Sequence, residues 1–260
     1  MKGEQHFILV HGACHGAWCW YKLATLLRSA GHRATPVDLA ASGINPENLD
    51  GKVSTFADYT QPLLDALASL PPDERVILVG HSLGGISLAL AMDQFPEKVA
   101  VGVFLTAFMP DSLNSPSYVL DKYFERIPLE NFIDTRFAMD RGTRKPSTML
   151  FGPRFLEQKL YQLSPPEDLT LAMSLVRVGS LFREDLSIAP TFSPERYGSV
   201  NRVYIICDHD LAIPKDFQHW MVDNYPVQEV KEIKDADHMP MFCKPQELCK
   251  YLQEIAEMYD

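Results

Sequence analysis

At 260 residues, 46% hydrophobic and 22% charged, the chain has the size and composition of one globular domain with a full core and room for an insertion. Its net charge of −10 and the absence of any Lys/Arg cluster argue against a nucleic-acid partner, because no basic excess exists to displace counterions from phosphates. No apolar run approaches the ~20 residues that span a bilayer, so no membrane insertion is expected.

The first strand-like run, FILV (7–10), begins so early that neither a signal nor a transit segment is expected, and the cytosol is the expected setting. A helical stripe, AWCWYKLATLLRSAG (17–31), follows and stops at Gly31, a favoured residue just past a helix end. HRATPVDL (32–39) reads as a second strand, and STFADYTQPLLDALASL (54–70) as a helix capped by Ser54 or Thr55. RVILV (75–79), the helix SLGGISLALAMDQF (82–95) and VAVGVFLTA (99–107) continue the alternation. After a long interruption come RVYIIC (202–207), the helix PKDFQHWMVDNY (214–225), EVKEI (229–233) and the helix KPQELCKYLQEIAEMY (244–259). Near-continuous apolar strands alternating with helices predict an α/β fold: a six-stranded, mostly parallel sheet with helices on both faces.

The interruption, 109–199, is Pro- and aromatic-rich, with helical pieces at 117–126 and 154–163 but no convincing pair of long strands. Ser164, Pro165 and Glu167 look like the capped start of a further helix. About 90 residues is too long for a simple crossover, so the segment is expected to be a lid. The core would then comprise 1–108 and 200–260. The cysteines Cys14, Cys19, Cys207, Cys243 and Cys249 are odd in number and lack Cys-x-x-Cys spacing, which predicts reduced, mostly buried thiols.

The strongest chemical signal is VILVGHSLGG (76–85), which holds the Gly-x-Ser-x-Gly nucleophile elbow around Ser82. A strand must turn into a helix so sharply that side chains two positions before and after the serine would clash. The hydroxyl is then presented at a helix N-terminus, whose dipole favours developing negative charge. The context here is the required one, an apolar strand before and an apolar-striped helix after. Such a serine needs a base and an orienting acid, in the chain order Ser, Asp, His. His238 follows the last strand. Asp208 and Asp210 both follow the strand before it, and Asp210, with more loop to reach back, is the better acid. His209 reads as a loop residue, and Asp235 and Asp237, next to His238 in an extended loop, as solvated. The oxyanion hole would use the N–H groups of Leu83 and, after the tight turn His11-Gly12, Ala13. Gly12 would leave the space above Ser82 open. His11, His15 and His81 lack the helical placement of a metal set, so no metal is expected.

HGACHGAWCWYKL, DLAASGIN, VILVGHSLGG, FLTAFMPD, KLYQLSPPEDL, SLFREDL, RYGSVNRVYI and IKDADHMPM together resemble the plant methylesterase family of α/β-hydrolases, which also contains polyneuridine aldehyde esterase and, as an offshoot, the α-hydroxynitrile lyases. The resemblance runs from about residue 5 to 259. It implies the α/β-hydrolase fold and a carboxylesterase acting on small esters, notably methyl esters of hormone-like or alkaloid acids, with no cofactor. Ser82, Asp210 and His238 fall on the family triad, and Ala13 and Leu83 on its oxyanion donors. By the same resemblance Gly12, Phe108, Tyr123, Phe132, Phe137, Met149, Phe151, Leu160, Leu181 and Met239 line the substrate pocket; from their own sequence context all of these but Gly12 read as lid-core packing. The lyases carry threonine where Gly12 stands and lysine where Met239 stands, so both positions are of esterase type. Relatives often dimerise, so a homodimer is an expectation of the resemblance alone. DHDLAIP (208–214), where the family has a sequence closer to TEDKGIP, and the lid stretch RFAMDRGTRKPSTML (136–150) depart from the family pattern. The rival readings are hydroxynitrile cleavage, which would need a cation at Met239, and a hormone-binding receptor with residual hydrolysis.

Overall fold

The structure, a computed structural model, describes residues 3–49, 52–139 and 146–259. Its strands are β1 (His6–Val10), β2 (Arg33–Val37), β3 (Val76–His81), β4 (Val99–Leu105), β5 (Arg136–Met139), β6 (Pro146–Leu150), β7 (Gly179–Ser180), β8 (Asn201–Cys207) and β9 (Glu229–Ile233). Six of them form one sheet in the order β2-β1-β3-β4-β8-β9, and every pairing in it is parallel. Every residue of β3 and β4 is buried, because helices cover both faces; their side chains therefore form unbroken apolar runs rather than an alternation. The edge strands are less covered: β2 mixes buried and exposed positions, and in β9 only the last residue, Ile233, is buried.

The helices begin and end where their chemistry dictates. Phe56–Ala68 starts at Thr55, whose hydroxyl accepts from the Asp58 N–H at 3.0 Å while the Asp58 carboxylate accepts from the Thr55 N–H at 2.9 Å. The first predicted helix is a 3₁₀ turn (Ala17–Trp20) running into Tyr21–Ser29, followed by Gly31 at φ +89°. Gly84–Gln94 packs on the central strands β1, β3 and β4, Lys215–Asn224 on β8, and Pro245–Met258 on β9 and the helix Tyr21–Ser29. No helix among the described residues is long and apolar enough to cross a membrane.

Between β4 and β8 the chain leaves the sheet. Two expectations for this segment are corrected. It contains a small antiparallel sheet, β5-β6-β7, which the sequence did not suggest. Those strands are only two to five residues long, and β5 is largely exposed, so neither period-2 burial nor an apolar run marks them. The middle of the divergent stretch, 140–145, lies outside the described residues. The helix Pro166–Leu175 starts without a side-chain cap, because the Ser164 hydroxyl donates instead to Asp237 at 2.9 Å. The helical piece at 154–163 resolves into Pro153–Phe155 and a π-helical turn, Leu156–Leu160.

Candidate active site

The elbow has the geometry its spacing demands. Ser82 sits at φ +54°, in the left-handed region, between the end of β3 and the helix Gly84–Gln94. Its carbonyl accepts from the Gly85 and Phe108 N–H groups at 3.1 and 3.0 Å, which fixes the turn against the segment after β4. A Cβ at Gly84 would lie 2.6 Å from the His11 carbonyl oxygen, so the helix approaches the β1 loop closely only because this residue has no side chain.

His238 follows β9 and Asp210 follows β8. The His238 Nδ1–H donates to Asp210 Oδ2 at 2.6 Å, and both side chains are shielded from solvent. That bond fixes the tautomer and leaves Nε2 as the basic nitrogen. Asp210 is itself held from three further directions. Its Oδ1 accepts from the Ala212 and Ile213 N–H groups at 2.7 and 2.8 Å, and the Thr106 hydroxyl donates to Oδ2. Sequence reasoning passed over Thr106, which stands in the left-handed region (φ +36°) one residue beyond β4; its short polar side chain at a strand's C-terminal end was the available signal. Asp208 instead pairs with the exposed His209 at 2.7 Å and accepts from the Ala236 N–H at 3.4 Å.

Ser82, His238, Ala13 and Leu83 all line one cavity between the sheet and the segment that links β4 to β8, about 440 Å³ counting its mouth. The Ser82 hydroxyl makes no hydrogen bond to a described residue, and contacts of this kind commonly tighten only around substrate. The Ala13 and Leu83 N–H groups likewise have no backbone partner among the described residues, so two donors are left beside the serine.

The remaining cavity wall is apolar. Of the residues expected there, Phe108, Tyr123, Phe132, Met149, Phe151, Leu160 and Leu181 line it. Gly12, Phe137 and Met239 do not. Gly12 abuts the Ser82 Cβ and the His81 ring, Phe137 packs edge-on against Phe132, and Met239 is fully buried at the start of the short helix Pro240–Cys243. Leu120, Phe124, Phe155, Ala212 and Ile213 also line the cavity and were missed. Phe124, Phe132 and Phe155 stack at centroid distances of 5.8 and 5.2 Å, an arrangement that depends on lid packing absent from any local pattern. The Tyr123 hydroxyl is turned to the Ala212 carbonyl at 2.7 Å, so that residue offers the cavity its ring. No lysine or arginine lines the cavity among the described residues.

Three further histidines surround the site, each neutral because burial pushes its pKa down, that of His15 to about 3. His11 Nδ1–H donates to the Gly12 carbonyl, and its Nε2 accepts from the Leu39 N–H. His81 Nε2–H donates to the His238 carbonyl at 2.7 Å and pins the base loop from below. His15 Nδ1–H donates to the Ala13 carbonyl, so its Nε2 accepts from the Tyr161 hydroxyl. No group of three or more potential ligands that could hold a metal occurs among the described residues. All five cysteines are unbridged; Cys14, next to Ala13, is buried and its thiol is pushed up to about 12, which makes it a packing residue rather than a nucleophile.

One expectation about the base loop is overturned. Asp237, read as solvated, is completely buried. Its Oδ1 accepts from the Met239 N–H, and its Oδ2 accepts from the Leu163 N–H and the Ser164 hydroxyl, each at 2.9 Å. The segment between β4 and β8 supplies two of the donors that make its burial tolerable, and nothing in the local sequence announces them.

A parallel sheet with a strained serine at a strand-to-helix turn, an Asp-paired histidine and two spare amides defines a hydrolase of the α/β class. The chain belongs to the Alpha/beta hydrolase family, whose pattern it matches over residues 7–250. It is 56% identical to salicylic acid-binding protein 2 of Nicotiana tabacum, over 100% of both chains. It is 54% identical to methylesterase 1 of Arabidopsis thaliana, over 99% of this chain and 98% of that one. The crystal structure of polyneuridine aldehyde esterase superposes with a TM-score of 0.93 at 50% identity, covering 98% of this chain and 100% of the other.

Proposed function

We propose that this protein is a serine carboxylesterase that cleaves small esters of apolar, ring-containing acids, methyl esters first among them. The observation that carries the reading is the convergence of Ser82, the Asp210-held His238 and two unspent amides on one apolar cavity. The names of the relatives, methylesterase and polyneuridine aldehyde esterase, support the ester class.

In this reading Nε2 of His238 takes the proton of Ser82 as the hydroxyl attacks the ester carbonyl. The carbonyl electrons move to oxygen, where the Ala13 and Leu83 N–H groups stabilise the charge. Collapse of the tetrahedral adduct breaks the bond to the alkoxy group, which leaves as the alcohol with the proton from His238. Water, deprotonated by the same nitrogen, then attacks the acyl-serine, and the acid departs as Ser82 regains its proton. Asp210 orients the ring and balances its transient positive charge. The aromatic wall accommodates a flat acyl group, while the absence of a cation in the lining disfavours hydroxynitrile cleavage, which releases cyanide as an anion. Every group invoked comes from a single chain, and the partner is a small-molecule ester. Five unbridged thiols support a cytosolic setting.

The test is turnover of p-nitrophenyl acetate, methyl salicylate and mandelonitrile, with Ser82→Ala as control. Ester hydrolysis that disappears in Ser82→Ala is the expected result. Cyanide release outpacing ester hydrolysis would favour a lyase. Tight binding of an acid without ester turnover would favour a receptor, a reading to which the name of the tobacco relative lends some weight.

A further inference from the structure

Four consecutive lid residues touch three separate parts of the catalytic machinery. Tyr161 donates its hydroxyl to His15 Nε2 at 2.8 Å, and His15 in turn donates to the carbonyl of Ala13, the residue bearing one oxyanion N–H. Gln162 donates through Nε2 to the carbonyl of His209 at 2.8 Å, immediately before Asp210. The Leu163 N–H and the Ser164 hydroxyl both donate to the carboxylate of Asp237, immediately before His238. Leu160, the residue before this run, lines the cavity. One short strap therefore reaches from the substrate space to the oxyanion loop, the acid loop and the base loop in turn.

We propose that the strap Tyr161–Ser164 is a positioning element for the triad, and that Asp237 is the residue through which it sets the catalytic His238. The claim rests on the esterase reading for its kinetic consequence, but the geometry stands without it. The base loop is tied to the acid loop where the His209 N–H donates to the Ala236 carbonyl at 3.0 Å, and two further anchors flank His238 itself: His81 holds its carbonyl from the core side, and Asp237 holds the preceding residue from the lid side. Asp237 has no cation partner within ion-pair distance among the described residues. Its charge is balanced only by the hydrogen bonds it accepts, two from the strap, one from the Met239 N–H and one from the Cys243 thiol, and burial pushes its pKa up. Removing those donors leaves a buried carboxylate that must move toward water, and His238 is its immediate neighbour in the chain. The lid has other anchors that do not touch the triad. Asp168 accepts from Tyr21 and Lys22, and Arg177 donates to the carbonyls of Gly43, Asn45 and Glu47. A strap variant thus leaves the lid docked, and a variant at Lys22 tests docking alone.

The experiment compares Asp237→Asn, Ser164→Ala, Ser164→Thr and Lys22→Met. The first readout is kcat and KM for p-nitrophenyl acetate, whose acetyl group is too small to need the lid wall. The second is the downfield proton NMR signal of His238 Nδ1–H, identified by its loss in His238→Ala. The expected result is kcat lowered about tenfold in Asp237→Asn and several-fold in Ser164→Ala at nearly constant KM, the scale that small misplacements of a catalytic group produce. The Nδ1–H signal should shift or broaden in both, Ser164→Thr should restore both readouts, and Lys22→Met should leave both alone. Unchanged kcat and an unchanged Nδ1–H signal in Ser164→Ala and Asp237→Asn would overturn the proposal, as would equal effects from Lys22→Met. If Asp237→Asn does not fold, Ser164→Ala and its threonine rescue decide. A wild-type protein without ester turnover would sink the esterase reading, and the NMR signal would still decide the positioning role.

Discussion

Gly12→Ala is the smallest change that should disable the site. A Cβ at Gly12 would lie 2.7 Å from Ser82 Cβ, 3.1 Å from His81 Nδ1 and 3.2 Å from the His81 carbonyl oxygen. Carbon atoms in good contact sit ~3.5–4.0 Å apart, so the methyl group would intrude by about 1 Å on the nucleophile's own Cβ. The neighbours cannot yield cheaply: one is the root of a side chain on a strained backbone, another is main chain, and the third is a fully buried ring. The oxyanion loop would have to retreat instead, and Ala13, the next residue, carries one of the two donors. Overpacking of this kind costs about 1–3 kcal/mol of stability. Displacing one oxyanion donor costs about 3–4 kcal/mol of transition-state stabilisation, or roughly 10²–10³ in kcat. The variant should therefore melt several degrees below the wild type and lose about a hundredfold in kcat for p-nitrophenyl acetate, and Gly12→Thr should lose more. Stopped-flow and steady-state hydrolysis alongside a calorimetric melt measure both. Hydrolysis within threefold of wild type, with an unchanged melting temperature, would refute the argument. It would show that the loop has slack and that the donor's position does not depend on Gly12.

Thr106→Val keeps the branched shape but removes one donor from Asp210, so about 1–3 kcal/mol of stability and a measurable part of kcat should be lost while Thr106→Ser stays near wild type; equal behaviour of the two variants would remove the hydroxyl from the account. His11, His15 and His81 are buried and neutral, their pKa values lowered below the ordinary 6.5, so they contribute stability that is complete above about pH 6.5 and lost as pH falls toward the folded values. Each can contribute up to about 1.4 kcal/mol per pH unit in that window, and urea midpoints at pH 7, 6 and 5 should drop steeply; a flat midpoint would contradict their neutrality. Leu181→Trp should fill the cavity, raising KM for methyl salicylate at least ~10-fold while sparing p-nitrophenyl acetate; parallel losses on both esters would place Leu181 outside the acyl site.

The core was legible because its rules are local. β3 and β4 announce themselves as buried parallel strands by unbroken apolar runs, and the elbow is fixed by the need for small residues around Ser82. The order Ser82, Asp210, His238 follows from which strands end at the top of the sheet, and Asp210 outranked Asp208 on loop length, in keeping with the 2.6 Å bond. The lid resisted the same treatment. β5, β6 and β7 are too short to show a period, Ser164 looked like a helix cap and serves another residue, and Phe137 was indistinguishable in sequence from the ring in front of it.

Asp237 shows why a buried loop carboxylate is hard to read from sequence. A carboxylate flanked by Ala236 and His238 in a loop reads as solvated, because in isolation nothing could satisfy it. Its partners Leu163 and Ser164 lie more than seventy residues away, and the bond pinning His238 from the core side comes from His81, 157 residues away. Local sequence can nominate a nucleophile, since an elbow is a local strain problem. The base is different: its usefulness depends on being held from two sides by segments remote in the chain. A fold that assembles its catalytic centre this way leaves the chemistry readable from residue type and order, while the residues that hold the chemistry in register become visible only once the chain has closed on itself.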